Sequence, residues 1–285
     1  MATQYLHLFQ NETSRTNYTH STQYQEPYLG AIEPTRSAFY NKISDNVIDV
    51  VDGNTTKTFN LKYWWSGEDA PVSSLWRDRI NNVGWNTTYC TYDSTNKWYD
   101  MSGDKQYCYM SNNGTLKFGK EFKIFVRTYY KFKSGLQYGS YIGDLASLRK
   151  AQNNTSLGNI SAAGTVMGCN CKKSDKNATG AAYTKTMDFN TWTDFRLLEY
   201  ELGYERMSDN EARWYIMYNN EIISYGNTHT PINWNSMGQK VDSTAAGYFT
   251  LGMGYINSVG ATPGGNGTTS TAPIKMLELK IYVRE

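Results

Sequence analysis

The run Glu121–Lys133, EFKIFVRTYYKFK, decides the fold class. In an extended chain Phe122, Ile124, Val126, Tyr130 and Phe132 fall on one side, and Lys123, Phe125, Arg127, Tyr129 and Lys131 on the other. One side suits a core and the other carries charge, the pattern of an antiparallel strand. Working outward, the C-terminal third repeats it. Trp192–Arg206 (WTDFRLLEYELGYER) reads as a long strand, and Ser208-Asp209-Asn210 as a turn. Glu211–Tyr218 (EARWYIMY) returns, Asn219-Asn220 turns again, and Glu221–Tyr225 (EIISY) closes a three-strand meander. Tyr248–Tyr255 and Pro273–Val283 read as the last two strands, separated by a Gly/Thr-rich loop at Ser258–Thr271. Toward the N-terminus, Val47–Val51 and Lys57–Trp65 flank the turn Asp52-Gly53-Asn54. In the Trp-rich stretch Tyr63–Trp85, Ser73–Ile80 is expected to form a short helical turn. Residues 149–185, rich in Asn, Ser, Gly, Ala and Lys, predict long loops around one or two short strands. Roughly a dozen short strands at this spacing predict an all-β, two-sheet sandwich.

Composition agrees and excludes several classes. Tyr, Asn, Thr, Ser and Gly supply 126 of 285 residues, and charged residues only 19%. A coiled coil or a charge-driven disordered chain needs more charge than that. A net charge of +2, spread along the chain, leaves no footprint for a phosphate backbone, so no nucleic acid is expected. No apolar stretch approaches the roughly 18 residues of a membrane-spanning helix.

Residues 1–10 lack a basic region followed by an apolar core, so no secretory signal is expected. The ten Asn-x-Ser/Thr sequons then read as a by-product of Asn- and Thr-rich loops, not as glycan sites. Of the four cysteines, Cys169 and Cys171 form a Cys-x-Cys that no second Cys or His pair completes into a metal site. The cysteines read as reduced thiols of a cytosol-made protein, with a Cys90–Cys108 disulfide as the alternative. No cofactor or metal is implied. His7, His20 and His229 have no spaced partners, and no hydrolase, zincin or phosphate-loop motif occurs. Residues 1–42 differ from the rest: polar turns, two prolines, and no strand or helix expected beyond about five residues, too little to bury a core alone. Their apolar residues Tyr5, Leu6, Leu8, Phe9, Tyr24, Pro27 and Tyr28 need another surface to cover them. That surface is either the rest of this chain or a partner, and the chain divides into an N-terminal segment, 1–42, and a sandwich, 43–285.

Two stretches resemble known families. The strand opening on Trp192, the hairpin Arg213–Ile222 (RWYIMYNNEI), the Leu-Gly strand at Leu251 and the closing Ile274–Arg284 resemble the concanavalin A-like lectin/glucanase (laminin-G-like) jelly roll. Asn219-Asn220 stands where that family usually has Asn-Gly, and its calcium-ligating acidic loop is not identifiable. Residues 63–80 look like the opening of the same modules in phage proteins. The leader, with Tyr5–Phe9 (YLHLF), Glu26-Pro27-Tyr28 and Tyr40-Asn41-Lys42, is similar to that of virion proteins from phages of Bacteroides, including crAss-like phages. The resemblance implies a head-fibre or capsid-decorating virion protein made in the host cytoplasm. It would dock on the capsid through residues 1–42 and be displayed as a homo-oligomer, a trimer by analogy with fibres.

Alternation places Arg127 and Tyr129, Glu199 and Glu201, Arg213 and Tyr215, and Glu278, Lys280 and Tyr282 on single strand faces. Opposite them lie the core-like Val126 and Tyr130, Leu198 and Leu202, Trp214 and Ile216, and Leu277, Leu279 and Ile281. In the resembled jelly roll the polar face is a concave sheet that can receive a sugar, with Arg127, Tyr129, Glu199, Arg213, Tyr215 and Tyr282 as candidate contacts. The alternative is a solvated or subunit-covering face laced by cross-strand ion pairs. Glu199 and Glu201, two steps apart, lie roughly 6.6 Å apart, near the low edge of an inverting glycosidase pair. The glucanase signature is nevertheless broken at Glu199-Tyr-Glu201-Leu-Gly-Tyr-Glu205, so no enzyme is expected. Trp64, Trp65, Trp76 and Trp85 read as packing residues. Tyr89, Tyr92, Trp98, Tyr99, Tyr107 and Tyr109 read as an aromatic loop suited to protein or glycan contact.

Overall fold

A computed structural model describes residues 18–24, 36–44, 46–52, 55–103, 106–111, 116–133, 144–147, 154–160, 164–170, 183–210, 212–219, 221–228, 248–252 and 273–285. Among them the chain forms β1 (Tyr18–Tyr24), β2 (Arg36–Ser44), β3 (Val47–Asp52), β4 (Thr55–Ser66), β5 (Leu75–Arg77) and β6 (Gly84–Tyr89). Then come β7 (Thr91–Asp93), β8 (Trp98–Met101), β9 (Tyr107–Ser111), β10 (Glu121–Tyr130), β11 (Asp144–Ser147), β12 (Asn154–Ile160) and β13 (Met167–Asn170). The last are β14 (Tyr183–Thr184), β15 (Arg196–Arg206), β16 (Ala212–Tyr218), β17 (Glu221–Thr228), β18 (Tyr248–Leu251) and β19 (Ile274–Arg284). The one helical element among the described residues is a 3-10 turn, Phe189–Thr191.

Every pairing is antiparallel. The larger sheet runs β1-β2-β3-β4-β19-β10-β15-β16-β17-β14, and the smaller β13-β12-β11-β18-β9-β6-β5. The two curled sheets form a sandwich-like arrangement. At its centre β19 pairs along its length with β10. On its other edge β4 takes Glu278–Val283, and β8, which carries β7 beyond it, takes Ile274–Met276. The chain leaves β4 where β8 arrives, and Gly67 makes that possible: its N–H donates to Leu277 O at 2.6 Å, and a Cβ there would stand 2.0 Å from Lys97 O.

The main core lies between the sheets. Trp65, Trp76 and Trp85 are fully buried in it, as packing residues should be. Trp76 stacks on Tyr99 at 4.4 Å, and its indole N–H donates to Ser66 O; that of Trp65 donates to Val83 O. Val126, Tyr130, Leu198, Leu202, Trp214, Ile216, Leu279 and Ile281 join them as alternation predicts, but Leu277 does not. The β10–β19 register shifts opposite Arg127/Thr128, so Glu278 pairs with Arg127 and Met276 with Thr128. That bulge takes Leu277 out of phase and puts Met276 in the core.

Three other expectations are corrected. Ser73–Ile80 is not a helical turn. Ser73 and Ser74 take left-handed φ angles of 51° and 59°, a two-residue turn that returns the chain into β5 and buries Trp76. The aromatic stretch 89–109 runs through strands β6 to β9; Tyr99 and Tyr107 are buried, the others half-buried. Residues 18–24 and 36–44 form strands of seven and nine residues, longer than expected. They pair with each other in full register, and β2 pairs with β3, so this hairpin extends the larger sheet across residues 42 and 43. The remaining differences are small: the strand expected from Trp192 begins at Arg196 after the 3-10 turn, and residues 149–185 carry three short strands.

Candidate functional site

The candidate sugar contacts all lie on the face of the larger sheet that points away from the smaller one, and the register aligns them in rows. Arg127 stands between Glu199 of β15 and Glu278 of β19; Tyr129 between Leu197 and Lys275; Lys123 between Gly203 and Tyr282. Gly203 in turn faces Tyr215, and Glu205 faces Arg213. The alternation read from β10, β15, β16 and β19 thus holds across four neighbouring strands.

The face is divided, however. A bulge between β4 and β19 pairs Ile281 with Tyr63 but Tyr282 with Leu61, skipping Lys62. Tyr63 and Trp65 therefore enter the main core, whereas Phe59 and Leu61 turn to the opposite face. There they join Ile48 and Val50 of β3 and Phe125, Tyr215, Met217, Tyr225 and Tyr282 in a second buried cluster. The β3–β4 end curls over this half of the sheet. Lys57 Nζ reaches Glu121 at 2.6 Å and Arg206 O at 3.0 Å, and Lys123 Nζ stands 5.2 Å from the Phe59 ring centre. Tyr215, Tyr282 and Arg213 keep only 4%, 1% and 2% of their surface. In these positions they pack the interior of the chain.

Within the covered half sits a network that alternation placed on this face without marking as special. Lys123, with no exposed surface, donates to Glu205 at 2.9 Å and to the Tyr215 hydroxyl, and lies 3.4 Å from Glu201. The Tyr215 hydroxyl donates to Glu201 at 2.8 Å. Tyr215 reaches this point by lying flat over Gly203, where a Cβ would stand 2.1 Å from its ring. One row further, fully buried Glu121 accepts from Lys57, from the backbone N–H of Arg206 at 2.9 Å and from Arg284. The available signal was parity: Glu121 begins the alternating run on the same side as Lys123, and Glu205 continues Glu199 and Glu201.

The other half is more open. Arg127 and Glu199, both half-buried, form an ion pair at 3.0 Å. Half-buried Tyr129 meets Trp98 edge-on, with ring centres 5.5 Å apart, and Leu197 beside it is exposed. Lys275 lies 4.5 Å from the Trp98 ring centre and 4.6 Å from that of Phe195, with Asp100 at 3.6 Å. Sequence spacing does not connect Trp98, Phe195, Lys275 and Asp100 with Tyr129, because β8 joins β19 only in three dimensions. At the border, Glu278 accepts from the Trp64 indole at 2.7 Å and pairs with Lys280 at 3.3 Å, and burial raises its carboxyl above the usual glutamate range.

Glu199 and Glu201 each have a cation of their own, Arg127 and Lys123, so their shared strand face does not make them an isolated acid pair. No three His, Cys, Asp or Glu side chains cluster to hold a metal ion among the described residues. Tyr5, Leu6, Leu8, Phe9, Pro27 and Tyr28 lie outside the described residues; Tyr24 ends β1, its backbone paired with Arg36. Compared with protein-family models, curated proteins and solved structures, the chain matches none.

Two expectations follow from this geometry. Replacing Lys123 by Met removes the buried ammonium that Glu205, Glu201 and the Tyr215 hydroxyl surround, which costs about 3–5 kcal/mol. Urea denaturation should show that loss, and a Lys123→Met protein as stable as the parent would contradict the network. Glu278 holds its proton more tightly folded than unfolded, so its contribution to stability is complete below the ordinary glutamate pKa of about 4.3 and is lost as pH rises through the raised folded value. Glu278→Gln retains the Trp64 hydrogen bond and removes that titration. Melting curves should shift in favour of the Gln variant as pH rises from about 4 towards 7.

Proposed function

We propose that this chain is a structural protein of a phage virion, a head-fibre or capsid-decorating component that docks through residues 1–42. In this reading the sandwich is a concanavalin A-like jelly roll displayed outward for adhesion, as a homo-oligomer. The observation that carries it is the β1–β2 hairpin at the edge of the larger sheet. Among the described residues β1 pairs with β2 alone, so its outer edge is a template to which a strand of a capsid protein can add. The apolar residues Tyr5, Leu6, Leu8 and Phe9 precede this edge and Pro27 and Tyr28 follow it; their burial on a partner supplies docking energy at about 25 cal/mol per Å². The covered polar face supports the same reading, since its charges are spent on one another within the chain. The test is a phage carrying the quadruple change of Tyr5, Leu6, Leu8 and Phe9 to Ser. Its purified particles should lack the protein, while the isolated variant melts like the parent. Particles that retain the variant in full would sink the docking role.

A second reading, carbohydrate binding, is favoured by the row Trp98–Tyr129 beside Arg127 and Glu199. Rings in such a row stack on the apolar faces of pyranoses, and the charged groups bind their hydroxyls. It places the contacts at Tyr129, Arg127 and Glu199 and leaves Tyr215 and Tyr282 to packing. On a glycan array, Tyr129→Ala should weaken any binding by about tenfold or more, a change of ~1.4 kcal/mol. Tyr215→Phe should leave it unchanged; equal loss in both variants would point to the covered half instead.

A further inference from the structure

Cys90 stands at a joint between the sheets. It follows β6, which belongs to the smaller sheet, and precedes β7, which with β8 belongs to the larger. Cys108 lies in β9, within the smaller sheet, and its side chain faces the main core. The two sulfurs are 3.2 Å apart. Cys108 is fully buried, whereas Cys90 is half-buried and packs against the core from its margin. The Cys90 thiol also points its proton at Thr87 O, 3.6 Å away.

From this placement we infer that Cys90 and Cys108 are a disulfide-forming pair, reduced as the chain folds and closed by thiol–disulfide exchange in an oxidising medium. A core thiol alone is best explained as a small apolar side chain. The pair needs more, because a second sulfur at the core margin is aimed at the first. The strands beneath them are already paired, Tyr89 with Tyr107, so the backbones are held close. Closing the bond asks the sulfurs to approach by about 1.2 Å, to the usual 2.03–2.05 Å.

The roles of the two cysteines differ. Burial and the neighbouring Cys90 push the Cys108 thiol well above its ordinary pKa, so it does not begin the exchange. Cys90, nearer solvent, attacks a small-molecule disulfide such as oxidised glutathione, forming a mixed disulfide and releasing one glutathione thiolate. Cys108 then gives up its proton, attacks the Cys90 sulfur and displaces the second glutathione. In sum, two protein thiols and one glutathione disulfide become one protein disulfide and two glutathione thiols. The closed bond ties β9 to the start of the β7–β8 hairpin, which lies between the two cysteines in sequence and pairs with β19 in the other sheet. It is a staple across the joint. The inference does not depend on display on a virion; for a displayed protein, the bond would form once the chain leaves a reducing cytosol.

The test uses the full chain with Cys169 and Cys171 changed to Ser, exposed to oxidised glutathione while folded and then alkylated. The expected product has lost two hydrogens, takes up no alkylating agent, links the Cys90 and Cys108 peptides in a digest, and melts at a higher temperature until reduced. Cys90→Ser should leave Cys108 reduced and abolish the rise in melting temperature. Two free, alkylated thiols after oxidation, or a stable glutathione adduct on Cys90 that Cys108 fails to displace, would overturn the inference. If the Ser replacements impair folding, the same peptide map of the unsubstituted chain gives the answer.

Discussion

A lysine ammonium with no exposed surface, that of Lys123, must find its counter-charge inside the protein, and much of the larger sheet is arranged around that requirement. Taking an ammonium out of water costs several kcal/mol after relaxation, and only well-placed partners offset it. Glu205, Glu201 and the Tyr215 hydroxyl provide them, from the two strands next in order to β10. Glu121 solves the mirror-image problem one row away, as a buried carboxylate held by Lys57, Arg284 and a backbone N–H. Such networks add less to stability than a well-packed apolar core of the same volume. What they strongly disfavour is error, because a one-residue slip in β15 or β16 strands the charges and turns every side chain over.

That requirement arises because the sheet curls. A flat sheet would leave Lys123 in solvent, where it would need no network. The bulge at Lys62 instead turns Phe59 and Leu61 onto the outer face, and β3 follows with Ile48 and Val50. The aliphatic and aromatic groups of this end then cover the charges of the middle. Tyr215 contributes to both sides of the arrangement, its ring lying over Gly203 and its hydroxyl bridging Lys123 and Glu201. A larger residue at position 203 would lift the ring and pull the hydroxyl out of the network.

Much of this was legible in the sequence, and the limits have physical causes. Alternation in β10, β15, β16 and β19 placed the polar residues on one face, and the structure aligns them. Periodicity of two cannot see a bulge, however, so it points Leu277 to the core where the structure puts Met276. For the same reason nothing in Phe59-Asn-Leu61-Lys-Tyr63-Trp-Trp65 reveals that its odd residues serve two different cores. Ser73 and Ser74 hid a two-residue turn, because neither is a residue that usually takes a positive φ. The β1–β2 hairpin escaped because its Thr, Ser, Asn and Gln residues lack a clean apolar alternation. Trp98 and Tyr129 are far apart in the chain and meet only because β8 and β10 flank the same strand, β19.

The division of the outer face also limits what the fold can do with it. The covered half holds the stronger charges, but their partners are internal and fixed by register, so a ligand would have to dismantle the network to use them. The open half has weaker assets: one half-buried ion pair, two rings meeting edge-on, and a lysine already set over Trp98. Groups of that kind bind by stacking and by shared hydrogen bonds. In the covered half burial hides charge within the frame. Its charged groups thereby serve the register of the sheet, and it is the open half that presents polar groups at a surface.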